Sequence, residues 1–247
     1  MNEQELEKLQ ISLGIKLQNP QWLRQALNIS ALVLPRPGLM SHDALEFLGD
    51  TVLGTVLKTL LLEQRGGHEG VLTQMYELAG SNRYLAQVSE DLGLPAYAVM
   101  PAGWQEVFRT SNPEQRWKKS ADLLEAVVGA IFMDGGYDYD GAAMFIRSAV
   151  WPRLQALMPE HIPLQPRALL YECCRDRFGS APYYHVDKLP AGEPGKRGVY
   201  AARAYVNRRQ IGYGKGRTLW QAESNAARAA LRQEFGLTDR QIQQGRR

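Results

Sequence analysis

The chain has 247 residues, 45% of them hydrophobic and 22% charged, with a formal net charge of +3, which suits two domains rather than one and permits a sizeable buried core. The charge is unevenly placed: residues 1–150 hold 12 Lys and Arg against 18 Asp and Glu, and residues 151–247 hold 17 against 8. An acidic first part can concentrate metal ions, and a basic second part can neutralise phosphates. With no secretory leader, no apolar run of about 18 residues and no disulfide framework, the chain reads as a soluble cytoplasmic protein without a membrane partner. The adjacent Cys173 and Cys174 fall on a predicted helix and read as buried small residues.

Residues 3–13 form an amphipathic opening helix, and Asn19-Pro20 places an N-cap and a first-turn proline before a helix running to about Ile29. The loop Leu34-Pro35-Arg36-Pro37-Gly38 breaks the chain ahead of an acid-bearing helix, after which helices are expected near 71–79, 81–92, 118–133 and 138–157. Three prolines within residues 158–166 mark a stiff linker. Beyond it the pattern changes to a helix over Arg167–Arg177, strands over Tyr183–Leu189, Val199–Val206 and about Gln210–Gly214, and a last helix from about Thr218 to Phe235. The fold class is therefore α+β overall, an all-α domain at 1–157, a linker at 158–166, an α-β-β-β-α domain at 167–237 and a polar tail at 238–247.

The acids of the third helix are its most telling feature. Asp43, Glu46 and Asp50 share one stripe of a helix whose other positions, Val52, Leu53, Val56, Leu57, Leu60 and Leu61, continue an apolar period. A second apolar helix carries Asp122 and Glu125 three residues apart. Burying a carboxylate without a cation costs on the order of several kcal/mol, so acids clustered on two buried helices imply a counter-charge. Oxygen donors without neighbouring Cys or His ligand spacing favour magnesium or manganese over zinc or copper.

The segment Leu45-Glu46-Phe47-Leu48-Gly49-Asp50 resembles the signature helix of ribonuclease III endonucleases. Ala121-Asp122-Leu123-Leu124-Glu125-Ala126, followed by Gly129 to Gly136, is similar to that family's other acid-bearing helix, and His68 to Thr73 and Gly80 to Ala86 resemble two intervening segments in the expected order. The part after residue 163 looks like a double-stranded-RNA-binding domain, with Ala222, Ala226, Ala227, Ala230 and Leu231 set to pack on the sheet. The resemblance implies that Glu46, Asp50, Asp122 and Glu125 hold catalytic Mg²⁺, with Mn²⁺ able to substitute, and hydrolyse double-stranded RNA to 5′-phosphate and 3′-hydroxyl ends. Asp43 and Glu69 would be supporting acids. It also implies a homodimer, one acidic cluster per strand, with Phe47 as the dimer contact.

For RNA, the resemblance implies three contact surfaces: Glu172 on the first helix of the module, Pro194 and Lys196 in the loop between the first two strands, and Lys215, Arg217 and Thr218 at the entrance to the last helix. In that last surface the glycines Gly212, Gly214 and Gly216 would let backbone approach phosphate. Leu219 and Trp220 stand where the family has a lysine pair, which implies weaker and more salt-sensitive binding, with Arg208 and Arg209 as compensating cations. Asn28 to Ala31 also lacks the family's Thr-His-x-Ser pattern, and Asp43 stands in place of Glu. The histidines, His42 included, lack ligand spacing and are given no role. The competing readings are a catalytically silent RNA-binding scaffold of the same family and a small all-helical phosphohydrolase acting on nucleotides.

Overall fold

The opening helix α1 (Glu3–Leu13) starts where it does because Asn2 and Glu5 close a reciprocal capping box, and it stops at Gly14 in the left-handed conformation. The structure is a computed structural model in which residues 1–29, 37–65, 69–101, 103, 106, 110–158, 164–189 and 199–243 are described. The proline-rich breaks at 34–36 and 159–163 lie outside the described residues. Two compact units result, one comprising Met1–Gly66 with Tyr76–Met158 and the other Gly67–Met75 with Pro159–Arg247.

In the first unit, α1 is followed by α2 (Gln21–Ala26), α3 (His42–Arg65), α4 (Glu69–Ala79, which begins in the other unit), α5 (Asn82–Asp91), α6 (Leu94–Tyr97), α7 (Pro113–Asp134), α8 (Tyr139–Phe145) and α9 (Trp151–Leu157). α2 is shorter than expected at both ends, with Pro20 as its cap rather than its first residue. The central element is α7, buried without interruption from Ser120 to Ile131 and packed chiefly against α3 and α5. Asn112 caps it, accepting from the Gln115 N–H at 2.9 Å. Its far end is tied down by Asp134, whose carboxylate accepts from the backbone N–H groups of Gln18 and Asn19 at 2.6 and 2.7 Å.

The α3–α7 crossing is set by two glycines. A Cβ on Gly49 would stand 1.7 Å from the Glu125 carbonyl oxygen, and one on Gly129 would stand 2.1 Å from that of Leu45. Only hydrogen fits at either place, so the two backbones touch at that level, and the acids one turn away on each helix are drawn together.

The single helix expected over 138–157 is instead two α-helices joined by a π-turn at Ile146–Val150. Pro152 supplies the reason: it has no N–H for the Ser148 carbonyl, and its ring would crowd that carbonyl in a regular helix, so the turn widens. Buried Ala149, Val150, Trp151 and Leu154 keep an apolar pattern running through the widened turn, which conceals it from a reading of periodicity.

The second unit has α10 (Pro166–Phe178), β1 (Tyr183–Leu189), β2 (Val199–Val206), β3 (Arg209–Gly216), α11 (Leu219–Phe235) and α12 (Asp239–Gln243). The sheet is antiparallel in the order β1-β2-β3. Asn207 and Arg208, both at positive φ, make the tight β2–β3 turn whose twist suits a hairpin. Ala222, Ala226, Ala227, Ala230 and Leu231 of α11 are buried on the sheet with Leu169, Leu170, Cys173 and Cys174 of α10, and neither cysteine is in a disulfide. The segment expected to be a polar tail departs from that description: α12 places Ile242 in this core.

Candidate metal centre and nucleic-acid interface

Asp122 and Glu125 face the α3–α7 crossing with 2% and 9% exposure, while Glu46, from the first turn of α3, is about one quarter exposed. One carboxylate oxygen from each of the three lies within 4.8 Å of the others. Asp50, one turn further along α3, is exposed and stands outside that group, but its charge is felt within it. Burial, and then the charges of Asp50, Asp122 and Glu46, push the Glu125 carboxyl up to about 8. The donor set offers carboxylate oxygen only, which fits a hard divalent cation.

Two lysines that sequence reading passed over reach into this group. Lys118 and Lys119 lie four and three residues before Asp122 on α7, so helical geometry puts them on its face. Lys118 Nζ is 3.0 Å from Asp122 Oδ1 and 3.6 Å from Glu46 Oε1, and Lys119 Nζ is 2.9 Å from Asp122 Oδ2. Both oxygens of Asp122 are thus held, and the bond to Asp122 raises the Lys118 pKa. Tyr76 was also passed over. Its hydroxyl stands 2.8 Å from where a Gly54 Cβ would be, Lys58 lies 4.4 Å from its ring centroid, and burial with the nearby Asp50 and Glu125 charges raises its pKa.

A second group overlaps the first at Glu46. One atom each of His42, Asp43 and Glu46 lie within 4.8 Å of one another, with His42 buried and Asp43 exposed. His42 Nδ1 is 2.6 Å from the Ala26 carbonyl oxygen, and Nε2 is 3.9 Å from Glu46 Oε2. His42, given no role from the sequence, thus lies with one atom among these acids, and the backbone carbonyl that orients it, that of Ala26, lies sixteen residues upstream.

Other expected residues are placed singly. Glu69 opens α4, is exposed, and accepts from Thr73 Oγ1 at 3.3 Å. Phe47 is 75% exposed, so it takes no part in the core of the unit. In the second unit Glu172 is half-buried on α10, Lys215 and Arg217 are exposed, and Thr218 caps α11 by accepting from the Gln221 N–H at 3.1 Å. Leu219 and Trp220 follow it, both more than half exposed. Pro194 and Lys196 lie outside the described residues, as does His68.

Two expectations for this surface change. Gly212, Gly214 and Gly216 are buried beneath α11, where a Cβ would come within 2.2 to 2.5 Å of its backbone, so they serve helix-on-sheet packing rather than an approach to phosphate. Arg209 is held by Glu234 at 2.6 Å and is not a free compensating cation.

Residues 43–136 match the Ribonuclease III domain and residues 166–234 the double-stranded RNA binding motif. Ribonuclease 3 of Chloroflexus aurantiacus is 30% identical over 242 residues, covering 95% of this chain and 92% of that one. The mouse and human proteins called Ribonuclease 3 are 28% identical over 235 residues, and this chain spans only 16% of their length. The nuclease domain of Campylobacter jejuni ribonuclease III shares the fold of the first part, with a TM-score of 0.51 at 23% identity, covering 60% of this chain and 97% of that one. The chain belongs to the ribonuclease III family.

Proposed function

We propose that the protein is a metal-dependent endoribonuclease that cuts double-stranded RNA, leaving 5′-phosphate and 3′-hydroxyl ends, and acts in RNA processing. The observation that carries this reading is the meeting of buried Asp122 and Glu125 with Glu46 at a helix crossing that only glycines permit. Glu46, Asp122 and Glu125, with Asp50 at the rim, would hold Mg²⁺, or Mn²⁺ in its place. When bound, such an ion polarises the scissile phosphate and lowers the pKa of an attacking water. The chain's own acids orient that centre with Asp43 as a supporting acid beside them, and the family resemblance alone gives Glu69 a supporting role. Burial of Asp122 and Glu125 keeps competing water from their carboxylates.

The RNA-binding motif brings duplex RNA as the partner, with Glu172, Pro194, Lys196, Lys215, Arg217 and Thr218 as its contacts. A homodimer is the working assembly, supported by Phe47, a bare aromatic ring on the acid-bearing helix. The C. jejuni relative is itself described through a region involved in dimer formation. No described helix is long and apolar enough to cross a membrane, and a cytoplasmic setting is the one the family resemblance implies.

A catalytically silent RNA-binding scaffold is the second reading, favoured by the two lysines that hold Asp122. Incubating the full chain with long duplex RNA and Mg²⁺, beside Asp122→Asn and Glu125→Gln, separates the two. Cutting by the parent that either variant loses supports the enzyme; binding without cutting supports the scaffold.

A further inference from the structure

His42 is 4% exposed, and the hydrogen bond it makes decides which of its nitrogens is available. The Ala26 carbonyl can only accept, so Nδ1, 2.6 Å away, carries the proton. In a neutral ring the lone pair then belongs to Nε2. Nε2 has no hydrogen-bond partner, and it is aimed at Glu46 Oε2, 3.9 Å away. A neutral ring thus sets a buried lone pair against a carboxylate, an unfavourable arrangement unless a cation stands between them. The separation is too long for a hydrogen bond, yet two ligands bound about 2.1 Å from one shared ion lie roughly 3–4 Å apart.

A histidine that donates one ring N–H to a backbone carbonyl and presents the other nitrogen is the arrangement by which proteins fix the tautomer of a metal ligand. Asp43 brings a carboxylate oxygen within 4.8 Å of a ring nitrogen of His42 and an oxygen of Glu46, and it is exposed, so water can complete the coordination. From these contacts we propose that His42, Asp43 and Glu46 form a second cation site, which takes a divalent transition-metal ion such as Co²⁺, Mn²⁺ or Zn²⁺ through one imidazole nitrogen and two carboxylates. An imidazole donor separates this site chemically from the all-carboxylate group, because it favours transition ions over Mg²⁺. The positive end of α3 works against a cation here, so the three donors must supply the affinity. Glu46 is shared: Oε2 faces His42, while Oε1 faces Lys118. The site does not require that Asp122 and Glu125 bind Mg²⁺ or that RNA is cut.

The test is a Co²⁺ titration of the full chain, followed by visible absorption and calorimetry, in enough Mg²⁺ to saturate the all-carboxylate group. One Mg²⁺-resistant Co²⁺ per chain is expected in the parent and in Asp122→Asn. Asp43→Asn, an exposed change that spares the fold, should weaken it by about tenfold or more, and His42→Asn, which can still donate to Ala26, should abolish it. A parent that holds no Mg²⁺-resistant Co²⁺ overturns the proposal, as does Co²⁺ binding unchanged by Asp43→Asn. If His42→Asn fails to fold, Asp43→Asn decides alone. Resistant Co²⁺ in a parent that does not cut duplex RNA sinks the nuclease reading and leaves the site standing.

Discussion

Glu125 ties the stability of the metal-free protein to pH. Its carboxyl, ordinarily near 4.5, sits at about 8 in the folded chain, chiefly through burial. A raised carboxyl costs nothing while protonated, so this part of the stability is intact below about pH 4.5 and is lost as the pH rises through about 8. Melting temperature in EDTA should therefore fall over that window, Glu125→Gln should flatten the decline, and added Mg²⁺ should reverse it. Lys118 and Lys119 oppose the same excess of negative charge. Replacing both with Gln should lower the melting temperature in EDTA yet tighten Mg²⁺ binding by roughly tenfold, since the ammonium groups and the ion share the carboxylates of one small centre. An unchanged Mg²⁺ affinity would show that the lysines stand aside from it. The acids themselves were legible because carboxylates in an apolar stripe need an explanation; the lysines were not, since beside a charged segment they read as ordinary surface.

At the level of elements, the α3–α7 crossing concentrates the most risk in the fewest atoms. Gly49→Ala or Gly129→Ala would drive a methyl into backbone at 1.7 or 2.1 Å, where overpacking costs about 1–3 kcal/mol or more. Both variants should melt well below the parent and lose metal affinity, because parting the helices separates Glu46 from Asp122 and Glu125. Denaturant unfolding beside Mg²⁺ calorimetry checks both effects. Periodicity located these two helices correctly, and it placed all three strands, whose alternation is set by one buried face. It missed the π-turn at Ile146–Val150, where apolar residues continue through a change of helical pitch, and it misassigned Gly212, Gly214 and Gly216, whose partner is a helix later in the chain.

At the scale of the molecule, two behaviours depend on surfaces rather than cores. Phe47→Ala removes an exposed ring and should leave the fold stable while shifting the chain towards monomer in sedimentation, with duplex cuts giving way to single-strand nicks. RNA affinity should respond to restored charge: Leu219→Lys with Trp220→Lys should strengthen binding at low salt and steepen the salt dependence by about one to two units of slope. By the same relation, loss of two phosphate contacts at Leu219 and Trp220 is expected to give the parent weak binding with a shallow salt dependence, which a salt titration of duplex RNA affinity checks. Charge division and the acid motifs made the two-part plan readable from residue types alone, whereas residues 238–247 read as a polar tail because Ile242 is flanked by polar residues. Ile242 gives that tail a practical meaning. Trimming this part at residue 237, where its motif and last long helix are already complete, would leave an opening in the core that α10 and α11 share, so a fragment chosen by motif boundaries would be a poorer folder than one six residues longer.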